Sequence, residues 1–186
     1  MKRTVITFII IACSNLISAQ TEVPINTSKS TINWKGTMLF NFGEHFGTAK
    51  FKKGKITKVK NKISGGTFIV DMNTMLNTDG DYNEDLVNHL KNEDFFDVKK
   101  HPTSSLAISK VTYNDNGSLR IDADLTIIGI TKPIFFDAKL INDNKMITKF
   151  KIDRTDWNIR YGSKDKVSVK DYAISDAIEF EVELYF

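Results

Sequence analysis

The stretch "DADLTIIGITKPIFFDAKL", residues 122–140, decides the fold because its apolar side chains recur at every second position. On each side of the central glycine, alternate residues share one apolar face: Ile121, Ala123, Leu125 and Ile127 before it, and Ile134, Phe136, Ala138 and Leu140 after it. A period of two is that of a half-buried strand. The stretch therefore predicts two antiparallel strands joined by a turn over Gly129–Pro133, around which we expect Ile128, Ile130 and Phe135 to cluster.

The same alternation recurs along most of the chain. In "AIEFEVELYF", residues 177–186, the apolar positions again fall on one face: Ile178, Phe180, Val182, Leu184 and Phe186. Asn, Asp and Gly at 114–117 and 142–145 predict hairpin turns. Further strands are predicted around residues 31–39, 47–56, 62–72, 103–111 and 146–153. With no internal repeat or linker, about eight short strands predict one mainly β domain, an antiparallel barrel or sandwich.

One segment has a helical period instead. In "DYNEDLVNHLKNEDFF", residues 81–96, apolar side chains share one helical face: Tyr82, Leu86, Val87 and Leu90. Asp81 is placed to cap the helix, with Glu84 completing a capping box. We therefore expect one short α-helix beside the sheet, anchored by the pair Phe95–Phe96.

The beginning of the sequence, "MKRTVITFIIIACSNLISA", predicts a secretory signal over residues 1–19. Lys2 and Arg3 precede a short apolar run, and Ser18–Ala19 supply small residues for cleavage, so residues 20–186 would form the mature domain. The single cysteine, Cys13, offers an alternative, since it follows "IIA" as in a lipoprotein processing site. The mature protein is expected in the periplasm or secreted; under the alternative it is anchored through Cys13.

Charge and composition exclude some functions. Without the signal, 24 basic residues face 23 acidic ones, for a net charge of +1. A nearly neutral domain is a poor candidate for binding nucleic acid. A cluster of cations lies around Trp157 and Tyr161, and it is either a solvated loop or an anion-binding mouth: Arg154, Arg160, Lys164, Lys166 and Lys170.

Catalytic and metal-binding motifs are not found in the sequence. His45, His89 and His101 do not have metal-binding spacing, and there is no phosphate loop or nucleophile elbow. The carboxylates lie on a strand face or at the start of the helix, where solvation and capping account for them. We therefore predict no enzyme activity, cofactor or metal. A hydrolytic role for His89 or His101 with a nearby carboxylate is the weakest alternative.

Four segments carry recognisable motifs: "HLKNEDFFDVKKHPTSSLAISKV" (89–111), "ADLTIIGITKPIFFDAKL" (123–140), "FKIDRTDWNIRYGS" (150–163) and "AISDAIEFEVELYF" (173–186). The first holds Leu90, Lys91, Asp94, Phe95, Phe96, Val98, His101 and Pro102, and the second Leu125, Thr126, Ile127, Gly129, Thr131 and Pro133. The third holds Asp153–Arg154. In these motifs and their order, nearly the whole mature chain resembles the YceI-like family of exported lipid- and polyisoprenoid-binding proteins.

The resemblance implies an eight-stranded antiparallel, lipocalin-like barrel with one short helix beside it. It also implies an apolar cavity that holds a polyisoprenoid or another long-chain lipid. Strand phase suggests these lining residues: Phe68, Phe96, Leu125, Ile127, Phe136, Phe150, Ile152 and Phe180. Arg154, Arg160 and Lys164 are the expected contacts for a polar or phosphorylated head group at the mouth.

One alternative to a ligand-binding cavity stays open at this point. An inward face of Ile, Leu and Phe would look the same in a dry, close-packed core. The barrel would then be a ligand-free scaffold, a stress or interaction module of the cell envelope. A lipid carrier would also make transient contact with a membrane, and a homodimer is compatible with the sequence.

Overall fold

The computed structural model describes residues 19–39, 43–80, 83–166 and 173–186. The strands in this part of the chain are β1 (Gln20–Pro24), β2 (Thr31–Met38), β3 (Glu44–Val59), β4 (Lys62–Asn77), β5 (Thr103–Tyr113), β6 (Ser118–Ile127), β7 (Ile130–Asn142), β8 (Lys145–Asp153) and β9 (Ile174–Tyr185). An α-helix, α1 (Asn83–Lys91), lies between β4 and β5, and a short 3₁₀ helix (Arg154–Trp157) follows β8.

Strands β2 to β9 close an antiparallel barrel in the order β3-β2-β9-β8-β7-β6-β5-β4, with β4 pairing back onto β3. The long strand β3 pairs with β2 along its first half and with β1 along its second half. The predicted fold, an eight-stranded antiparallel barrel with one short helix beside it, is confirmed, and β1 is an added strand. Closure pairs most strand edges of the barrel, although the first part of β7, before Ala138, has no partner in β8.

The hairpin that decides the fold has a tighter turn than the sequence predicted. Ile128 and Gly129 alone form it, with φ of 43° and 76°. Positive φ at both central residues is typical of the two-residue turn whose twist matches that of the flanking strands. The predicted turn over Gly129–Pro133 was therefore too long, because β7 begins at Ile130 and Pro133 pairs with Asp124. Proline is tolerated there because β8 pairs with β7 only from Ala138 onward.

Phe135 does not join the cluster that was predicted around this turn. It lies on the outer face of β7 and is 64% exposed. Its ring lies 3.8 Å from the guanidinium carbon of Arg120. The position follows from strand alternation, since Ile134 and Phe136 on either side face the interior. Ile128 and Ile130 pack against the core as expected.

Helix α1 packs against β4, where the Nζ of Lys91 donates to the carbonyl of Asn73. Leu90 is buried and Leu86 is half-buried, which confirms the predicted apolar face. Phe95 and Phe96 are both buried after the helix, so the predicted anchor is also confirmed. The predicted cap at Asp81 and the contact of Tyr82 lie outside the described residues.

The outer face of β8 and β9 carries a network of ion pairs. The Nζ of Lys149 lies 2.8 Å from Glu179 and 2.6 Å from Glu181, and the Nζ of Lys151 lies 3.2 Å from Glu179. The hydrogen bond from Lys149 lowers the pKa of Glu179 below its ordinary value. Cross-strand pairs of opposite charge stabilise a sheet modestly.

The two ends of the barrel differ. At the end that holds the β3–β4, β5–β6 and β7–β8 turns, the interior is packed with fully buried apolar side chains that include Ile56, Leu119 and Ile121. At the other end, α1 and residues 154–166, which follow β8, surround the interior, and the core there includes Phe95, Phe96 and Trp157. Between these two packed regions the barrel holds a cavity.

Candidate ligand-binding cavity

The cavity has a volume of about 240 Å³ and is partly open. It extends from the packed turns to the barrel end beside α1, the open end, where Leu86, His89 and Leu90 line it. At roughly 10–15 Å³ for each water-sized group, it has room for about 16–24 such groups. The described residues that line it are predominantly apolar, and they include Ile32, Trp34, Met38, Phe51, Phe68, Val70, Met72, Met75, Leu90, Phe96, Leu106, Ile108, Leu125, Ile127, Phe136, Met146, Phe150, Ile178, Phe180, Val182 and Leu184. An apolar wall of this kind suits a hydrocarbon chain.

Stacked phenylalanine rings form one wall of the cavity. The rings of Phe136 and Phe150 are nearly parallel, with centroids 4.7 Å apart. Phe180 continues the row, with its centroid 5.4 Å from that of Phe150. These residues lie on the neighbouring strands β7, β8 and β9, so strand register brings them together. Their flat faces offer a broad surface for van der Waals contact with a chain.

The adjoining wall, where Trp34 on β2 pairs with Phe180 on β9, depends on a glycine. Gly47 pairs with Trp34 on β2 and with Asn77 on β4. A Cβ at Gly47 would collide with the carbonyl of Leu76 and lie 2.6 Å from the Trp34 ring. The missing side chain therefore lets the indole lie against the strand, where its Nε1 donates to the carbonyl of Thr48 at 3.3 Å.

The structure places seven of the eight predicted lining residues on the cavity wall: Phe68, Phe96, Leu125, Ile127, Phe136, Phe150 and Phe180. The eighth, Ile152, is buried beside Ile178 in the core near α1 and does not line the cavity. Its side chain points inward from β8, as predicted, but it packs within the core cluster and does not reach the cavity. That the seven bind a ligand stays a prediction.

Of the three predicted head-group contacts, only Arg154 lines the cavity, and it is already engaged. Its side chain is fully buried, with Nη1 donating to the carbonyl of Ile159 at 2.8 Å and Nε to that of Ser175 at 3.2 Å. Nη2 lies 3.4 Å from Oδ1 of Asp176. Burial lowers the pKa of Arg154, and the charges of Asp176 and Asp153 oppose this effect. The guanidinium thus ties the 3₁₀ helix to β9.

The other two predicted contacts lie away from the cavity wall. Arg160 pairs with Asp165 at 3.0 Å, and both side chains are exposed. Lys164 is exposed and lies 3.9 Å from Oδ2 of Asp176. Neither residue lines the cavity. A role for them in holding a head group stays a prediction that these positions do not favour.

The histidines differ in their surroundings. His45 lines the open end of the cavity, and its Nδ1 lies 2.8 Å from Oδ2 of Asp79. His89, on α1, also lines the cavity, and its ring meets that of Tyr161 edge-on at 4.4 Å. Within the described residues, neither His89 nor His101 forms an ion pair with a carboxylate.

Sequence reasoning missed part of the lining. Trp34 belongs to an alternating strand, and strand phase would have identified it. Met72 and Met75 both line the cavity although they are three positions apart, which strict alternation forbids. The reason is an irregularity in the β3–β4 pairing between Thr48 and Lys50, which changes the phase of β4. Helix residues such as Leu86 reach the cavity only through the packing of α1.

Two further searches concern only the part of the chain that the structure describes. There, we find no cluster of three or more His, Cys, Asp or Glu side chains suited to holding a metal ion. In the same ranges, no helix has both the length and the apolar character needed to cross a bilayer.

Comparison with known proteins identifies the fold independently. Residues 24–186 match the sequence profile of the YceI-like domain. A UPF0312 protein of Shewanella denitrificans is 26% identical over 142 residues, which cover 71% of this chain and 73% of that protein. A UPF0312 protein of Ectopseudomonas mendocina is 37% identical over 57 residues, but the match spans only 31% of this chain and 30% of that protein.

Solved structures share the barrel at low sequence identity. BcnA of Burkholderia cenocepacia has a TM-score of 0.67 and 17% identity, covering 86% of this chain and 98% of its own. A polyisoprenoid-binding domain from Saccharophagus degradans, implicated in plant cell wall breakdown, has a TM-score of 0.57 and 12% identity, covering 87% and 95%. At such identities the likeness establishes a common fold.

Proposed function

The chain belongs to the YceI-like domain family, and from this premise we propose that it is an exported protein that binds a long-chain lipid, such as a polyisoprenoid, without catalysing a reaction. The observation that carries the proposal is the apolar cavity of about 240 Å³ inside the barrel. The polyisoprenoid-binding domain of S. degradans, which has the same fold, supports this ligand class.

The physical basis is the transfer of a hydrocarbon chain out of water. Each buried methylene-sized group contributes roughly 0.8 kcal/mol. On that basis a fifteen-carbon chain gains about 12 kcal/mol before the entropy of ordering it is subtracted. Because the chain would lie along stacked rings such as Phe136 and Phe150, shape would select the hydrocarbon part of the ligand.

Export is part of the proposal. Residues 1–19 would be removed as a signal, leaving residues 20–186 as one domain in the periplasm or outside the cell. Under the alternative, acylated Cys13 would tether the barrel to a membrane. Either location brings the protein close to the lipids that it would carry.

We also expect transient membrane contact at the open end. Leu39, Phe46, Leu76 and Tyr161 are between 38% and 52% exposed and surround this end of the barrel. Exposed apolar side chains next to a cavity mouth suit docking on a lipid surface. Leu76→Ser should therefore lower co-sedimentation with phosphatidylethanolamine–phosphatidylglycerol vesicles, whereas Ile141→Ser, at the opposite end, should not. Equal losses in both variants would contradict docking through the open end.

The alternative of a ligand-free scaffold requires a packed interior together with exposed apolar loops. The exposed residues at the open end fit a scaffold, but the cavity does not. A homodimer stays compatible with either function.

Native mass spectrometry of the protein purified from its own cell envelope tests the proposal. We expect a discrete added mass that extracts into organic solvent as a polyprenyl or acyl compound. The measured polypeptide mass should match a chain that begins at Gln20. A mass that matches a chain beginning at an acylated Cys13 would establish the alternative. A bare polypeptide that also stays bare after incubation with long-chain isoprenoids would contradict lipid binding.

A further inference from the structure

One cavity-lining side chain has an unused polar atom. Among the described residues, three buried side-chain polar atoms lack a hydrogen-bond partner: His89 Nε2, Ser163 Oγ and Asp176 Oδ1. Asp176 Oδ1 still faces Nη2 of Arg154 at 3.4 Å, and Ser163 does not line the cavity. Folded proteins pair nearly all buried polar atoms. Of the three atoms, His89 Nε2 is therefore the one for which a ligand in the cavity is the natural partner.

The side chains around His89 shield its Nε2 from water but give that atom no hydrogen bond. Its ring lies edge-on to the rings of Tyr161 at 4.4 Å and Phe95 at 6.2 Å. Its neighbours one helical turn away and next in sequence, Leu86 and Leu90, line the same cavity. Tyr161 is nearly half exposed, so a rotation of its ring toward solvent would admit a small group to Nε2.

Charges around the site argue against an anionic partner. Arg154 is committed to backbone carbonyls and to Asp176. Arg160 is paired with Asp165, and Lys164 does not line the cavity. Among the described residues that line the cavity, Arg154 is therefore the only lysine or arginine, and its charge is already engaged. A phosphate there would lose its hydration without gaining a counter-charge.

We infer that the bound lipid carries an uncharged oxygen head group, a hydroxyl or a carbonyl, which hydrogen-bonds Nε2 of His89 at the open end of the cavity. The inference rests on the proposed lipid-binding function and specifies its head-group chemistry. A hydroxyl suits either tautomer of the imidazole, since it both donates and accepts a hydrogen bond.

Three probes with the same isoprenoid chain distinguish the contribution of the head group to affinity from that of the chain: farnesol, the hydrocarbon farnesene and farnesyl monophosphate. Trp34 lines the cavity, so its fluorescence reports binding. In His89→Phe, farnesol affinity should fall about tenfold, equivalent to about 1.4 kcal/mol for one hydrogen bond. Farnesene affinity should change less than about twofold, since it makes no such bond. His89→Gln, which retains hydrogen-bonding groups, should recover much of the loss.

The wild-type protein supplies a second test that needs no substitution. Farnesol should shift the ¹⁵N resonance of His89 Nε2, whereas farnesene should leave it nearly unchanged. Equal losses of farnesol and farnesene binding in His89→Phe, identical nitrogen shifts with both probes, or tighter binding of the monophosphate than of farnesol would overturn the inference while leaving lipid binding intact. Failure of all three probes to bind would overturn the proposed function as well.

Discussion

Replacing Arg154 with methionine should lower the free energy of unfolding by about 3–5 kcal/mol. The fully buried guanidinium makes two well-formed bonds, to the carbonyls of Ile159 and Ser175, and it faces Asp176. Hydrogen bonds from a charged donor contribute roughly 1.5–3 kcal/mol each, and an unpaired buried carboxylate adds to the loss. With a urea dependence of about 2 kcal/mol per molar, the unfolding midpoint should fall by about 2 M.

Urea titrations followed by tryptophan fluorescence and circular dichroism measure this loss. Arg160→Met is the matched control, because the exposed pair with Asp165 should contribute less than about 1 kcal/mol. An Arg154→Met variant within about 1 kcal/mol of the wild type would refute the structural role. If that variant instead remained stable and lost only phosphorylated lipids, Arg154 would be the head-group contact that the sequence suggested.

Three other substitutions test separate parts of the structure. Phe136→Asp should abolish farnesol retention while Phe135→Asp, on the outer face, should not; retention by folded Phe136→Asp would remove that residue from the binding wall. Lys149→Met should lower the free energy of unfolding most above pH 4.5 and progressively less below it. The reason is that Glu179, whose pKa in the folded protein lies below 4.5, loses its charge as the pH falls. A stability difference from the wild type that is unchanged at pH 3 would contradict this. Gly47→Ala should lower the free energy of unfolding by about 1–3 kcal/mol, because the new Cβ would collide with the carbonyl of Leu76. Gly36→Ala is the control, since a Cβ there meets no atom within 4 Å. Equal urea midpoints for the two variants would show that the strands move apart freely.

Much of the fold follows from local pattern. Strand alternation predicts the inward faces of β6, β7 and β9, since the period of two is imposed by the pleat itself. The turn was predicted less well, because Thr131 and Pro133 resemble turn residues while the structure uses only Ile128 and Gly129. A β-branched residue with positive φ is rare, so the sequence gives little indication of it.

The site is less accessible to sequence reasoning than the fold. Phase places Phe136 and Phe180 inside the barrel, but it does not distinguish a cavity wall from a packed core, as Ile152 illustrates. Met75 lines the cavity because of an irregular strand pairing. A basic residue such as Arg154 looks like an anion ligand in sequence, and only tertiary contacts reveal that backbone carbonyls already occupy it.

Methionine methyl groups provide the most direct test of the central claim, that a lipid chain lies inside the barrel. Of the five methionines, Met38, Met72, Met75 and Met146 line the cavity, and Met1 lies in the predicted signal. With ¹³C-methyl-methionine protein and unlabelled farnesol, we predict intermolecular nuclear Overhauser effects to Met72, Met75 and Met146. Bound farnesol that shows no such effects, or none at Met146 in the interior, would contradict the account.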